Sequence, residues 1–414
     1  MNTLDEESCY YLSLGYYFVS YIFPYLATGK SMSKLFEATE INGMTLSNRF
    51  VRSATWEGMA TGEGGSTPRL IAFMEKLARG GVGLIITGVA NVRSDGQWVP
   101  RQLGAFKDEF IDGYKNMTKA VHNEGGKIVM QIAHGGIFAN PEITGQIPLA
   151  PSKVKDSVNG KFPSGHKIPT VGKEMNLEII QEMIEDFRSA AVRAKESGFD
   201  GIQFFAGHGY LLSQFLSPVF NKRTDAYGGN LENRARFLLE VLKNARIAVG
   251  QNYPILVKIN SENFLERGFT RDESLKVCFR LCEEGVDAIE LSGGTWMSGK
   301  NLPSRTKILS EEKEAYFQEA AKVFKEKISV PLILVGGIRS FHIADQLVEE
   351  SVTDYISMCR PLIREPGLIK RWKEGDLTKA ACISCNQCFD GGHSEEGIYC
   401  VVERKVKEKR NELR

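Results

Sequence analysis

The sequence predicts an α/β chain built as a (β/α)8 TIM barrel, with a cap inserted between the third strand and the third helix and a Cys-rich C-terminal tail. Three observations carry this. Eight short apolar runs recur, usually introduced by Gly or Asp, and they lack the clean alternation of half-buried strands, as strands covered on both faces should. Helical patterns lie between them. A doubly wound sheet would use fewer strands, and no G-x-G-x-x-G motif opens a helix.

Taken in order, the runs are "RFVRSA" from Arg49, "VGLIITGVA" from Val82, "GKIVMQIAH" from Gly126 and "FDGIQFFAG" from Phe199. "PILVKIN" from Pro254, "VDAIELSGG" from Val286, "PLILVGG" from Pro331 and "TDYISMCR" from Thr353 complete the set. Before them, "LFEATEINGMTLSNR" reads as a hairpin turning at Asn42-Gly43, a dipeptide suited to positive φ at both positions. Between runs four and three, Ile180, Ile184, Phe187, Ala191 and Ala194 recur at helical steps until Gly198 stops them. Further helices are expected after Asp108, Asn230, Asp272 and Ser310, each an acceptable N-cap. The segment from Phe138 to Met175 is too long for a plain loop and carries Gly and Pro throughout, so it predicts a cap over the barrel mouth.

The ends of the chain differ from this pattern. Cys9 to Gly29 carries no charge, but its six tyrosines and Pro24 make a poor spanning helix, and Asp5, Glu6 and Glu7 are a poor start for a signal peptide. The expected organisation is an N-terminal extension over 1–31, disordered or artefactual rather than a membrane anchor, a barrel over 32–375 and a tail over 376–414. With net charge +1, nothing points to nucleic acid or a charged membrane surface. The cysteines outside the tail are scattered, which argues against a secreted disulfide framework and for a reducing, cytoplasmic setting.

In this fold, chemistry sits where the strands end. That gathers Ala54 and Thr55 with Trp56 after strand one, Gln131 and His134 at strand three, and His208 and Tyr210 after strand four. Lys258 follows on strand five, Gly336 and Gly337 after strand seven and Arg360 after strand eight. Gly-Gly followed by Arg matches the barrel's habitual phosphate site, where bare backbone approaches the anion and Arg adds a bidentate fork. Tyr210 has the chemistry of a proton donor and His208 that of an oxyanion donor. Blander readings fit the same residues: Gln131 as a bonded core amide, Lys258 as a snorkelling lysine, Gly336-Gly337 as a tight turn, and His208 and Tyr210 as polar aromatics of a turn.

Residues 34 to 375 resemble the Old Yellow Enzyme family of NADH:flavin oxidoreductases. The resemblance rests on "NRFVRSATWEG", "GGVGLIITG", "QIAHGG", "GFDGIQFFAGHGYLLSQFLSP", "NKRTDAYGGNLENRARF", "VGGI" and "CRPLIREP". It implies an FMN barrel in which Gln131 bonds the pyrimidine edge and Lys258 stands near flavin N1. Ala54 and Thr55 would line the ring, and Gly336, Gly337 and Arg360 would hold the phosphate. Tyr210 would be the proton donor and His208 one of two groups on a substrate oxygen. The chain departs from the family at Phe205, where many members place the first of two donors, and at Trp56 and Ile137. It departs from the 2,4-dienoyl-CoA reductases at Met297, where they have a His after the Trp, which argues against dienoyl-CoA chemistry.

Cys382, Cys385, Cys388 and Cys400 follow C-x2-C-x2-C-x11-C. Three close thiolates and one distant one suit a 4Fe–4S cluster better than structural zinc, which more often uses two separated pairs. The resemblance extends here to the tails of 2,4-dienoyl-CoA reductase and trimethylamine dehydrogenase relatives, which bind 4Fe–4S. The expected function is hydride transfer from NAD(P)H through FMN to an electron-poor alkene, with a small-molecule substrate, a separate electron-transfer protein as a candidate partner and homo-oligomers as a candidate assembly. The alternatives are an NADH oxidase without organic substrate and a binding scaffold with a zinc-held tail.

Overall fold

A computed structural model describes residues 33–155 and 171–412. The expected extension over residues 1–31 lies outside the described residues, as does much of the cap, 156–170.

All eight apolar runs form strands of one closed barrel. They are β1 (Phe50–Arg52), β2 (Leu84–Ile86), β3 (Lys127–Ala133), β4 (Gly201–Ala206), β5 (Ile255–Asn260), β6 (Ala288–Ser292), β7 (Leu332–Val335) and β8 (Tyr355–Met358). Each pairs in parallel with the next, and β8 returns to β1, with Ile356 opposite Phe50. The absence of alternation is explained by burial: every residue of β1, β2, β4, β5, β6 and β8 is buried. One face fills the barrel and the other meets the helices.

The hairpin Thr39–Ile41 and Met44–Leu46 turns at Asn42 (φ 44°) and Gly43 (φ 77°), as the dipeptide requires. Its Ile41, Met44 and Leu46 pack with Val51, Leu84, Val129 and Ile333 and stopper the end of the barrel where the strands begin. Ligand access is therefore confined to the opposite end.

Around the barrel run α1 (Pro68–Arg79), α2 (Ile111–Asn123), α3 (Leu177–Glu196), α4 (Leu231–Val249), α5 (Arg271–Glu283), α6 (Gln318–Lys325), α7 (Phe341–Glu349) and α8 (Leu368–Lys373). The periodic residues of α3 are all buried. Asn230 caps α4 as expected, its side chain accepting from Asn233 N–H. Three expected starts are corrected. Thr270, not Asp272, caps α5, in a reciprocal capping box with Glu273 that satisfies two orphan N–H groups. Asp108 opens a short 3-10 turn, and its carboxylate binds Arg193 rather than capping. Ser310 precedes only a 3-10 turn, and α6 begins at Gln318.

The insertion after β3 carries a short helix, Pro141–Thr144, and a small sheet of Leu149–Ala150, Val171–Glu174 and Val154–Lys155. Arg223 fastens it. Its Nη1 donates to the carbonyls of Pro151 (2.7 Å) and Met175 (2.6 Å), while Asp225 neutralises it. The distinctive "RTDAYGGN" stretch thus anchors the cap and starts α4, and is structural rather than chemical. No helix among the described residues is long and apolar enough to cross a membrane.

Candidate active site

The strand ends open into a cleft of about 1200 Å³, counting its solvent-open mouth. Ala54, Thr55, Gln131, His208, Tyr210, Lys258, Gly337 and Arg360 all line it. Gly336 does not line it directly. His134 is not among its wall residues either: it is fully buried, with Nε2 2.9 Å from Asp95 and Nδ1 accepting from Gly136 N–H, which makes it a structural histidine.

At the floor lies a polar network that the sequence reading missed. Lys258 Nζ donates to Ser53 Oγ (2.7 Å) and pairs with Glu290 Oε1 (3.2 Å). Ser53 and Ser357 donate to the same carboxylate oxygen at 2.7 and 2.9 Å. Gln203 donates to Glu290 Oε2 (2.9 Å) and accepts from Gln131 Nε2 (2.7 Å). Burial alone pushes the Glu290 carboxyl up, but Lys258 and then the three hydrogen bonds outweigh it and hold the group below the usual carboxylate range. The side chains come from β1, β3, β4, β5, β6 and β8, so barrel closure assembles the network. Ser53 directly follows β1, whereas Gln203 and Glu290 lie in the middle of β4 and β6, where the strand-end rule does not point.

At one end, Arg360 and Arg339 stand beside Gly337. Arg360 Nη1 donates to the Arg305 carbonyl (2.8 Å) and to Asn386 Oδ1 (2.7 Å). Arg339 donates to the carbonyls of Cys382 and Ile308, and its buried Nε–H has no partner among the described residues. Among the described residues, no carboxylate pairs with either guanidinium, and no Asp or Glu lines the cleft. Two buried cations without a counter-charge call for an anionic ligand, so the residues present fit a phosphate. The glycines have a second reason to be glycine: a Cβ on Gly337 (φ 77°) would fall 2.8 Å from the Tyr316 ring.

At the mouth, Tyr210 accepts from Trp296 Nε1 (3.0 Å) and stacks on Trp98 at 4.2 Å between ring centroids. Burial raises its pKa, against the opposing hydrogen bonds from Trp296 and Trp98. His208 sits in left-handed backbone (φ 59°), with Nε2 2.7 Å from Ser292 Oγ. Burial first and Lys258 second push its pKa well below the ordinary value, so the ring is neutral. Phe205 lies 4.9 Å from the Tyr210 ring and adds an apolar face where the family often has a donor.

The four tail cysteines line a separate cavity of about 320 Å³, with Arg360, Asn386 and Ile363 in its wall. Burial pushes the Cys388 thiol up to about 12. Among the described residues, no three His, Cys, Asp or Glu side chains converge as ligands of a single metal ion.

The chain matches the NADH:flavin oxidoreductase / NADH oxidase family over residues 34–379. It is 37% identical over 365 residues to the NADH oxidase of Thermoanaerobacter brockii, covering 86% of this chain and 54% of that protein. Among solved structures it resembles a 2-naphthoyl-CoA reductase complex, with TM-score 0.78 and 28% identity over 86% of this chain and 54% of the other. It also resembles an old yellow enzyme homologue from Zymomonas mobilis, with TM-score 0.71 and 25% identity over 85% of this chain and 96% of the other. The chain thus spans about half the length of the first two. A match across nearly the whole barrel, with an anion end, a lysine floor and a tyrosine mouth in one cleft, makes this chain a member of the NADH:flavin oxidoreductase / NADH oxidase family, of the old yellow enzyme type.

Proposed function

We propose that the chain is an FMN-dependent NAD(P)H oxidoreductase of the ene-reductase type, with a 4Fe–4S cluster in its tail. The observation that carries this reading is the composition of a single cleft: buried cations and, among the described residues, no acid in its wall, with a proton-holding tyrosine and a neutral histidine at its mouth.

Arg360, Arg339 and the backbone at Gly336 and Gly337 would hold the FMN phosphate. Lys258 and Gln131 would meet the polar edge of the ring, and Ala54 and Thr55 would line its face. Bound in these places, FMN supplies hydride transfer and a 4Fe–4S cluster single-electron transfer. His208, with Ser292 on Nε2, presents Nδ1–H to the carbonyl or nitro oxygen of the substrate. Tyr210 gives its Oη proton to the substrate α-carbon, and the Trp296 N–H, already on that oxygen, then steadies the phenolate. The aromatic mouth excludes water from this transfer.

For the tail, four thiols in C-x2-C-x2-C-x11-C spacing around one cavity would suit a 4Fe–4S cluster better than zinc, which more often uses two separated pairs. A separate electron-transfer protein would meet the chain on this side. A second reading, electron transfer from NADH to dioxygen or a carrier, is favoured by the likeness to an NADH oxidase.

Three measurements test these readings. Tyr210→Phe is expected to leave FMN bound and its reduction by NAD(P)H intact while slowing enone reduction by about 10²–10⁴-fold; equal rates in both half-reactions would remove Tyr210 as the acid. Anaerobically purified protein should be yellow-brown with about four irons per chain; a colourless protein with stoichiometric zinc would support the scaffold instead. NADH consumption that does not change when enone is added would favour the oxidase.

A further inference from the structure

The cysteine tail also builds a wall of the active cleft. Helix α9 (Cys388–His393) lies at the mouth, and its Phe389 and His393 both line the cleft. They stand four residues apart, which places both side chains on one helix face. Phe389 meets Trp296 edge-on at 6.4 Å, and His393 meets Trp56 edge-on at 4.7 Å. Trp296 in turn holds Tyr210, which stacks on Trp98. The aromatic side chains form a collar, and α9 supplies one side of it.

Backbone-level contacts fix this helix in place. A Cβ on Gly392 would fall 2.8 Å from the Trp56 indole, and one on Gly58 would fall 2.1 Å from the Gly392 carbonyl oxygen. Arg101 donates to the carbonyls of Gly58 (2.7 Å), Gly392 (3.1 Å) and Ser394. Ile398 N–H donates to the Glu57 carbonyl at 2.7 Å. The partners lie in the loops after β1 and β2, so the barrel mouth itself seats the tail.

We propose that Phe389 and His393 are specificity-determining residues, Phe389 packing on the apolar body of the substrate and His393 offering it a polar contact in a cleft where Phe205 replaces a usual donor. This rests on the oxidoreductase reading above. Burial, and secondarily Arg101, holds the His393 pKa below its ordinary value against the pull of Asp390, so the ring is neutral near pH 7 and both donates and accepts. Cys388 is the first residue of α9 and also lines the cysteine cavity. Whatever the thiols bind therefore adjoins the helix that forms this wall.

The test uses the FMN-loaded full chain with cyclohexenone and the bulkier cinnamaldehyde as probes. His393→Ala should raise KM for cyclohexenone about three- to tenfold, the size of one hydrogen bond, with a smaller change in kcat. His393→Gln should restore it. Phe389→Ala should shift preference toward cinnamaldehyde. Gly392→Ala, which drives a methyl into Trp56, should weaken both substrates together. FMN content and the flavin spectrum should match wild type throughout. If wild type turns over and KM for both probes stays unchanged in His393→Ala and Phe389→Ala, the inference falls while the oxidoreductase reading stands. If wild type reduces neither probe, the ene-reductase reading falls. A crystal structure of the FMN-loaded chain then decides the wall by itself: α9 facing the cleft supports it, and α9 turned away overturns it.

Discussion

The floor and the mouth of the cleft are built differently. At the floor, Lys258, Glu290, Ser53, Ser357, Gln203 and Gln131 form one connected hydrogen-bond network, and every one of them stands at or beside a barrel strand. At the mouth, Trp56, Trp98, Trp296, Phe389 and His393 come from loops and from the tail, and they meet mainly through ring faces and edges. Strand positions are fixed by two neighbours each, which suits the recognition of an unchanging cofactor. Loop and tail positions change without disturbing the barrel, which suits the selection of a substrate.

This contrast breaks first, if it breaks, at Glu290. Glu290→Ala removes one partner of a buried ion pair and leaves Lys258 uncompensated, an expected loss of about 3–5 kcal/mol. Denaturant unfolding of the FMN-free protein measures it, and a loss below about 1 kcal/mol would mean that the floor is not a pre-formed unit. Next in size is the anion end. Arg360→Ala or Arg339→Ala should each weaken FMN binding by about 1.5–3 kcal/mol, the range for hydrogen bonds to charged groups, and leave riboflavin binding unchanged. Fluorescence titration with both flavins separates phosphate recognition from ring recognition; equal losses for the two would place the arginines elsewhere in the binding.

The smallest expected effect lies at His208. Its folded-state pKa is depressed by burial and then by Lys258, so below its unfolded pKa the unfolded chain takes up the proton more readily than the folded one. Stability is therefore present above about pH 6.5 and falls as the pH drops below that value toward the folded pKa. His208→Gln should flatten this part of the stability profile. A slope that survives the substitution would assign it to other groups.

The barrel was legible because its strands are buried on both faces: continuous apolar runs such as "PILVKIN" and "PLILVGG" leave little choice of partner architecture. The glycine pairs and the residues after each strand followed from that one topology. Helix starts were less legible. Asp108, Asp272 and Ser310 are all good capping types, but Asp108 spends its carboxylate on Arg193 and Thr270 takes the cap from Asp272. Local chemistry admits several caps, and packing chooses among them. Glu290 and Gln203 looked like ordinary strand residues because a polar side chain inside a barrel has no sequence mark until the opposite strands are known.

By itself the sequence determined the strand count, the closed parallel topology, the N-terminal hairpin and the residue types at the strand ends, since these depend on periodicity and turn chemistry within short windows. Only the tertiary structure decided that Arg339 and Arg360 both line the cleft with no carboxylate of the described residues paired to them, that Glu290 compensates Lys258, and that the helix that Cys388 opens lines the cleft through Phe389 and His393. Each of these joins residues tens to hundreds of positions apart, and such charge balance and close backbone approach exist only once the chain has folded.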